Sequence, residues 1–591
     1  MESAASIVKH LRSLTTYQSV RQEKLMRSFF MYGHSTVQND SESYGDYFSE
    51  YGPKINLIQS GVDTLLNKII KNQPRPMFLT DGGDWGLQQK AKKRNAFVQG
   101  AFYATKTYQK TPQALLNALV YGDGFVKVYS DSDSIQVDPA LTLEIFVDEN
   151  ESLYGKPRRM WQIRLVDKDT LKGMYPEAKE KIDKAITVTP PFYMSTPAES
   201  KLVCVVEYWK LPRKENGKYV GGEHRILVGD EDLVKGREWK RPNFPFAKLG
   251  FTRNLVGYWS KGIAEVGTPY QIEVNKTLKR ISDSLRLVSS PKVLYDYQSK
   301  IVQSHFNNDV GAMIGYLGTP PQFINPSAVS PEMFKHLADM IQMFYNEIGV
   351  STLTATSQKP AGLNSGKALR EYNDIETERF SSFAKSWEQF HIDIAELVLQ
   401  EAAELAERKK DVAFLATDSK GCETISFSDI NMEADKYVIQ VYPTSMLPKT
   451  PSGRLEYVQE MLGAGLLSPE EGLSLLEFPD VEKVARFKNA AFDDILATID
   501  HMLEKEEYLP PEPYQKLQVG VQYMQSAYLY YKNRGCPQEK LDLLLNWIND
   551  ATEMLAPAQE PQDTADQLPM PVEETELPPE QMAEMPQEPV I

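Results

Sequence analysis

Two stretches of the chain carry apolar residues in a seam regular enough to constrain everything around them. In the first, Val274, Leu278, Ile281, Leu285 and Val288 recur at intervals of four, three, four and three. They share one side of a long helix, and Lys276, Lys279, Arg280 and Arg286 lie off it. Ser289-Ser290-Pro291 ends that pattern. In the second, Phe334, Leu337, Ile341, Phe344 and Ile348 are spaced three, four, three and four. Ser330 stands where a helix N-cap belongs, Pro331 at the first helical position and Gly349 at the C-terminal cap. Between the seams, 291–329 alternates apolar runs with "NND", "GTPP" and "NPS", as a small β-rich module would.

After the second seam comes a Gly/Ser/Asn-rich loop, 350–366. Helical spacing then resumes from about Lys367 to Lys410 through Tyr372, Ile375, Phe383, Trp387, Phe390, Ile394 and Leu397. At about 1.5 Å per residue that is roughly 65 Å of helix. Ahead of the seams, 1–30, 53–73 and about 86–120 read as helices, the second carrying Ile55, Ile58, Val62, Leu65, Leu66 and Ile69. Gly122-Asp123-Gly124 marks a turn into a strand at 125–129, and strand patterns follow at 141–147, 160–166, 202–209 and 223–228. Strands return at 423–428 and 436–442, and a helical block runs over about 452–556 with Ser468 and Pro469 at one helix start. The fold class expected is α+β, helices first and a mostly antiparallel sheet afterwards.

A chain of 591 residues exceeds one hydrophobic core. Its apolar runs are too short for a membrane span, which needs roughly 18 residues, and the N-terminus reads as an amphipathic helix. Three separated cysteines (Cys204, Cys422, Cys536) give no disulfide framework and fit a reducing compartment. Net charge is −16. The tail at 556–591 holds nine of the 81 acidic residues, none of the 65 basic ones and eight prolines, so it is expected to be disordered. The remainder is still acid-rich, which argues against tight DNA binding by counterion release.

Catalytic motifs are missing. Gly362-Leu363-Asn364-Ser365-Gly366-Lys367 looks like half of a phosphate-binding loop. Only three residues separate its glycines, and Ala368 stands where the magnesium-binding hydroxyl belongs. The seven histidines (10, 34, 224, 305, 336, 391, 501) form neither an HExxH nor a His/Cys pair. Asp131 and Asp133 in "SDSDS" lack the glycine and glutamate of a calcium loop and read as a hairpin turn. No GxSxG occurs, and Asp374 with Glu378 reads as an exposed helix face. The expectation is a protein without enzymatic activity, metal or cofactor.

The order of parts resembles the portal (head–tail connector) proteins of tailed double-stranded DNA phages, over about residues 20–500. "KINLIQSGVDTLLNKI", "ALLNALVYGDGFVKVY", "EIFVDENESLYGKPRRMWQIR", "NFPFAKLGF", "GIAEVGTPYQIEVNKTLKRISDSLRLVSSPKVLYD" and "GLNSGKALREYNDIETERF" carry the resemblance by their order and spacing. The resemblance implies a portal-like fold in a dodecameric ring. Its wing would be 1–261 with the long helix 367–412 and strands 413–448, its stem helices 262–290 and 330–349, its clip 291–329. The tunnel loop would be 350–366, the helical crown 449–556 and the acidic tail 557–591.

Leu278, Ile281, Leu285, Phe334, Ile341 and Phe344 would be the stem seam. Ser357, Gln358, Lys359, Pro360, Gly362, Asn364, Ser365 and Gly366 would face DNA in the channel, with Lys359 the one charge in 350–366. Implied partners are further copies of the chain, the terminase large subunit, a head–tail adaptor protein, the major capsid protein and transient double-stranded DNA, with no membrane. The location implied is the portal vertex of the virion, after synthesis in the host cytoplasm. Two other readings are open at this level: a non-portal scaffold or adaptor built on a long helical hairpin, and an enzyme with an unrecognised site whose best candidate is the near-Walker loop.

Overall fold

The computed structural model describes residues 2–33, 54–71, 73–80, 85–131, 134–153, 156–188, 201–216, 218–289, 292–298, 316–320, 322–324, 330–350, 378–408, 412–418, 421–430, 438–442, 451–466 and 494–555. Helices and strands are mixed, and the chain divides into two compact units, 1–468 and 469–591. The helical block expected over 449–556 therefore falls in both units.

The first unit opens with five helices: α1 (Ala4–Tyr17), α2 (Ser19–Gly33), α3 (Leu57–Ile70), α4 (Trp85–Ala104) and α5 (Thr107–Tyr121), with strand β1 (Arg75–Leu79) between α3 and α4. Strands β2 (Asp123–Asp131), β3 (Ser134–Ala140), β4 (Ile145–Val147), β5 (Arg159–Asp167), β6 (Leu202–Lys210), β7 (Glu223–Val228), β8 (Glu231–Glu238) and β9 (Phe246–Gly250) follow. They form a five-stranded sheet in the order β8-β7-β6-β5-β4 and a three-stranded sheet in the order β9-β2-β3, antiparallel throughout.

Side chains alternate across the five-stranded sheet, as the two-residue period demands. Trp161 and Tyr208, paired across β5 and β6, lie under the apolar stripe Ile7, Val8, Leu11 and Leu14 of α1. Met160 and Trp209 point the other way and join Phe125 and Phe246 of the three-stranded sheet in a second core.

A small hairpin, β10 (Thr252–Arg253) and β11 (Ser260–Lys261), leads into α6 (Ile263–Ser289). Then come β12 (Lys292–Leu294), β13 (Gln322–Ile324), α7 (Pro331–Ile348) and α8 (Ser381–Glu407). Strands β14 (Ala413–Asp418) and β15 (Gly421–Ser426) pair with each other, and β16 (Val438–Tyr442) pairs with β1. Phe414 and Phe427 pack edge-on against Phe97 of α4, so the chain after α8 returns onto its N-terminal helices. The largest core joins α3 to α8 with β2 and β3, and includes Phe383, Trp387, Phe390, Ile394 and Leu397 of α8.

Several elements differ from the sequence expectation. The helix expected over 86–120 is two helices, because Lys106 takes a left-handed φ of 55° and buried Thr105 returns its hydroxyl to Ala101 O. The helix expected over 1–30 breaks at Gln18, whose buried amide donates to Val147 O at 2.8 Å. The strand expected at 141–147 is only Ile145–Val147, after a 3₁₀ turn at Thr142–Glu144. Strands β1 and β3 contain Pro76 and Pro139, which reads against a strand; β3 tolerates proline because it is an edge strand. Asp131 faces Ser134 across the β2–β3 hairpin, which agrees with a turn there.

The β2 entrance is tight. A Cβ on Gly124 would lie 1.8 Å from Ala114 O, a backbone atom of α5 that cannot give way cheaply. Gly124→Ala is expected to cost about 2–4 kcal/mol, read as a lower denaturant midpoint with an unchanged slope.

Candidate functional site

The two seamed helices are the arms of one hairpin. β12 and β13 pair antiparallel, Lys292 with Ile324 and Leu294 with Gln322, which brings the end of α6 beside the start of α7. Ser330 caps α7 by accepting from Glu332 N at 3.3 Å, Pro331 opens it, and Gly349 closes it at φ 79°. α6 runs for 27 residues, about 40 Å.

The hairpin's root is fastened by polar and apolar contacts together. Gln271 and Asn275, one turn apart on α6, are buried. Gln271 Oε1 accepts from Leu57 N at 2.7 Å and Asn275 Oδ1 from Ile55 N at 3.2 Å, so α6 satisfies amides at the entry to α3. Phe344 of α7 enters two notches left by glycine. A Cβ on Gly267 of α6 would lie 2.7 Å from its ring, and one on Gly61 of α3 would lie 3.5 Å from it and 2.6 Å from Ile348.

Burial fades from root to tip. Phe344 and Ile281 are buried, and Leu278, Ile341 and Leu337 pack partly against the core. Leu285 is 50% exposed and Phe334 47% exposed, so these two seam residues are not covered by the chain's own fold as the seam pattern implies. The sequence marks the apolar side of each helix but not how far the body reaches along it.

Of the residues expected to form a DNA-facing loop, Ser357, Gln358, Lys359, Pro360, Gly362, Asn364, Ser365 and Gly366 all lie outside the described residues, as does 367–377 of the long helix. The described chain on either side of 351–377 is in contact. Arg379 donates to Glu347 O at 3.4 Å and its guanidinium packs over Gly349 at the end of α7.

Two charged clusters were not legible in the sequence, because their members come from separate elements. Lys127 Nζ on β2 lies 2.5 Å from Glu207 on β6, and Glu207 accepts from His224 Nε2 on β7 at 2.9 Å. Arg237 Nε on β8 donates to His224 Nδ1 at 2.8 Å, which leaves the imidazole neutral with its proton on Nε2. Burial opposes the Glu207 charge, but Lys127 and His224 outweigh it and hold the carboxyl far below its usual range. Trp209 and Phe246 cover the Lys127 ammonium. Lys127, Glu207 and His224 are enclosed, Arg237 reaches them from the exposed side, and the cluster ties the two sheets together.

In the second cluster Arg241 reaches Glu401 on α8 at 2.6 Å and also Glu404, which Arg237 approaches at 3.4 Å. Burial raises the Glu404 pKa, and Arg241 and Arg237 bring it below the ordinary value.

No group of three or more His, Cys, Asp or Glu among the described residues is placed to hold a metal ion, and no helix among them is long and apolar enough to cross a membrane. The chain matches no family model and no curated protein sequence.

His391 shows what α8 buries. Its Nδ1 lies 2.9 Å from Trp387 O, its ring stacks on Tyr108, and its Nε2 is buried without a partner. Burial pushes its pKa down to about 4, against an unfolded value of about 6.5. The unfolded state therefore takes up the proton first. Stability from the neutral ring is complete above about pH 6.5 and is lost as pH falls toward 4. Between pH 7 and 4.5, His391→Leu is expected to lose about 2–3 kcal/mol less unfolding free energy than the parent chain, measured by denaturant titration at each pH.

Proposed function

We propose that this chain assembles with copies of itself into a closed ring and serves as the portal of a tailed double-stranded DNA phage. The observation that carries the reading is the α6–α7 hairpin, rooted in a core yet leaving Leu285 and Phe334 half exposed along its outer arms. Fully burying one such side chain is worth about 1.5–3 kcal/mol, so a second hairpin packed alongside gains from every copy it meets. A contact that joins different faces of identical chains repeats, and it ends only by closing into a ring.

In such a ring the hairpins form the stem and β12–β13 the clip, where the terminase large subunit docks during packaging and a head–tail adaptor afterwards. The major capsid protein surrounds the ring at one vertex of the virion, and the chain is made in the host cytoplasm. The segment containing Ser357 to Gly366 projects into the channel from the point where Arg379 meets Glu347. Its composition suits that place, since it is small-sided and carries Lys359 as its one charge in 350–366. An acid-rich ring repels phosphates and lets DNA slide. The protein turns over no substrate and needs no cofactor; the motor's work comes from the terminase.

A scaffold or adaptor with a long hairpin would use the same apolar surface, but as a dimer or filament. Native mass measurement separates the two readings: about twelve copies in a closed particle fits the portal, and a dimer or open polymer rules it out.

The exposed seam gives the sharper mutational test. Leu285→Asp and Phe334→Asp place a charge on a surface that is open in the single chain, so folding is expected to shift by less than about 1 kcal/mol. Rings are expected to fall apart into single chains on a sizing column. Normal rings from both variants would remove the hairpin from the interface.

The channel segment is expected to behave differently. Deleting 356–364 should leave rings intact, because the hairpin's root contacts all lie outside it. Heads assembled with the deletion are expected to package or retain less DNA, read as the fraction of full heads. Collapsed rings, or full heads at the parent level, would overturn this assignment.

A further inference from the structure

Lys127, Gln162 and Glu207 meet where the two sheets of the first unit face each other. Gln162 on β5 and Glu207 on β6 are paired directly across the five-stranded sheet. Two residues from Met160 and Trp209, they share the face that those two present to the three-stranded sheet. Lys127 reaches them from β2 of that second sheet. Its Nζ lies 3.2 Å from Gln162 Oε1 and 2.5 Å from Glu207 Oε2. All three residues are buried, and the rings of Trp209 and Phe246 lie 4.8 and 5.8 Å from the ammonium.

The amide is held one way round. Gln162 Nε2 donates to Glu144 Oε2 at 3.1 Å, which turns the amide oxygen to Lys127 and sets its carbonyl carbon one bond beyond. An ion pair needs only Lys127 and Glu207. The third member is an acyl group of the kind an amine attacks, with the amine on its oxygen side and a carboxyl on its nitrogen side.

We propose that Lys127 and Gln162 join in an isopeptide bond, made by the chain on itself with Glu207 as the base and ammonia as the leaving group. Glu207 takes one proton from the Lys127 ammonium, and the freed lone pair attacks Gln162 Cδ. The Nζ–Cδ bond forms while the C=O pair moves onto the oxygen; as that pair returns, the Cδ–Nε2 bond breaks. The attacking nitrogen gives up a second proton, which passes to the departing nitrogen by way of the Glu144 carboxyl that already bonds it. Glu207 then returns its proton, and ammonium leaves. One amide replaces another, so no oxidant, reductant or outside reagent enters.

The surroundings favour each part of this step. Burial pushes the Lys127 pKa down, with Glu207 working against it, so the amine is reached more readily than on an exposed lysine. Glu207 is nonetheless held as a carboxylate, which keeps the amine a minor form and makes the reaction slow. Burial raises the Glu144 pKa, which suits a group that relays a proton to a leaving nitrogen. The neighbouring rings keep water from competing for the carbonyl. Lys127 and Gln162 are 35 residues apart, so the bond closes a loop and locks one sheet to the other. It is a single self-modification, and the inference is independent of the portal reading.

The test is the intact mass of the full chain under denaturing conditions, fresh and after several days folded at neutral pH. The chain is expected to be lighter than its sequence by one ammonia, and a tryptic digest to contain the Lys127 peptide joined to the Gln162 peptide. Gln162→Met keeps the Lys127–Glu207 pair and is expected to show the full mass, with an unchanged circular dichroism signal. Glu207→Gln should slow bond formation about a hundredfold. The proposal is overturned if the incubated parent chain keeps its full mass, or if ammonia is lost without the joined peptides. Loss of water with Lys127 joined to Glu207 would also overturn it, because the carboxyl is then the acyl group. Bond formation in Glu207→Gln at the parent rate would remove Glu207 as the base.

Discussion

Phe344 seated between Gly61 and Gly267 is the contact on which the first unit depends. It brings three helices to a separation that a single added Cβ would not allow, and Ile348 follows it into the same notch. Gln271 and Asn275 then meet the amides at the entry to α3, so apolar fit and hydrogen bonding fix the same joint. Beyond the joint the hairpin still buries Ile281, and Leu278, Ile341 and Leu337 pack partly against the core, so its inner part is held by its own contacts. Its tip can therefore carry Leu285 and Phe334 half exposed without loss of the fold.

The charged clusters act on the other side of that joint. Lys127, Glu207, His224 and Arg237 lie in four different strands, and each satisfies a buried group that would otherwise cost several kcal/mol. Arg241 extends the same logic to α8 through Glu401 and Glu404. α8 begins just after the segment 351–377, which lies outside the described residues, and Arg379 ties its start to Glu347 O of α7. In the ring reading, force on that segment passes into a helix clamped by ion pairs at one end and packed through Trp387 and Phe390 along its length.

Acidity supports the same division of labour. A net charge of −16 disfavours phosphate binding by simple electrostatics, and the segment 556–591 carries nine of the acidic residues.

Local regularity was legible from the sequence. The spacing of Val274 to Val288 and of Phe334 to Ile348 specified two helices, and Ser330, Pro331 and Gly349 specified where one starts and stops, since capping is settled by a few neighbouring residues. The row Phe383, Trp387, Phe390, Ile394 and Leu397 likewise announced the buried side of α8. What the sequence left open depended on residues far apart in the chain. The pairing of β1 with β16, the break at Gln18, and the joining of Lys127, Glu207 and His224 each need a partner that no local period reveals. The extent of the exposed seam is of the same kind: a helical period tells which side of a helix is apolar, and only the packed body decides how much of that side is covered.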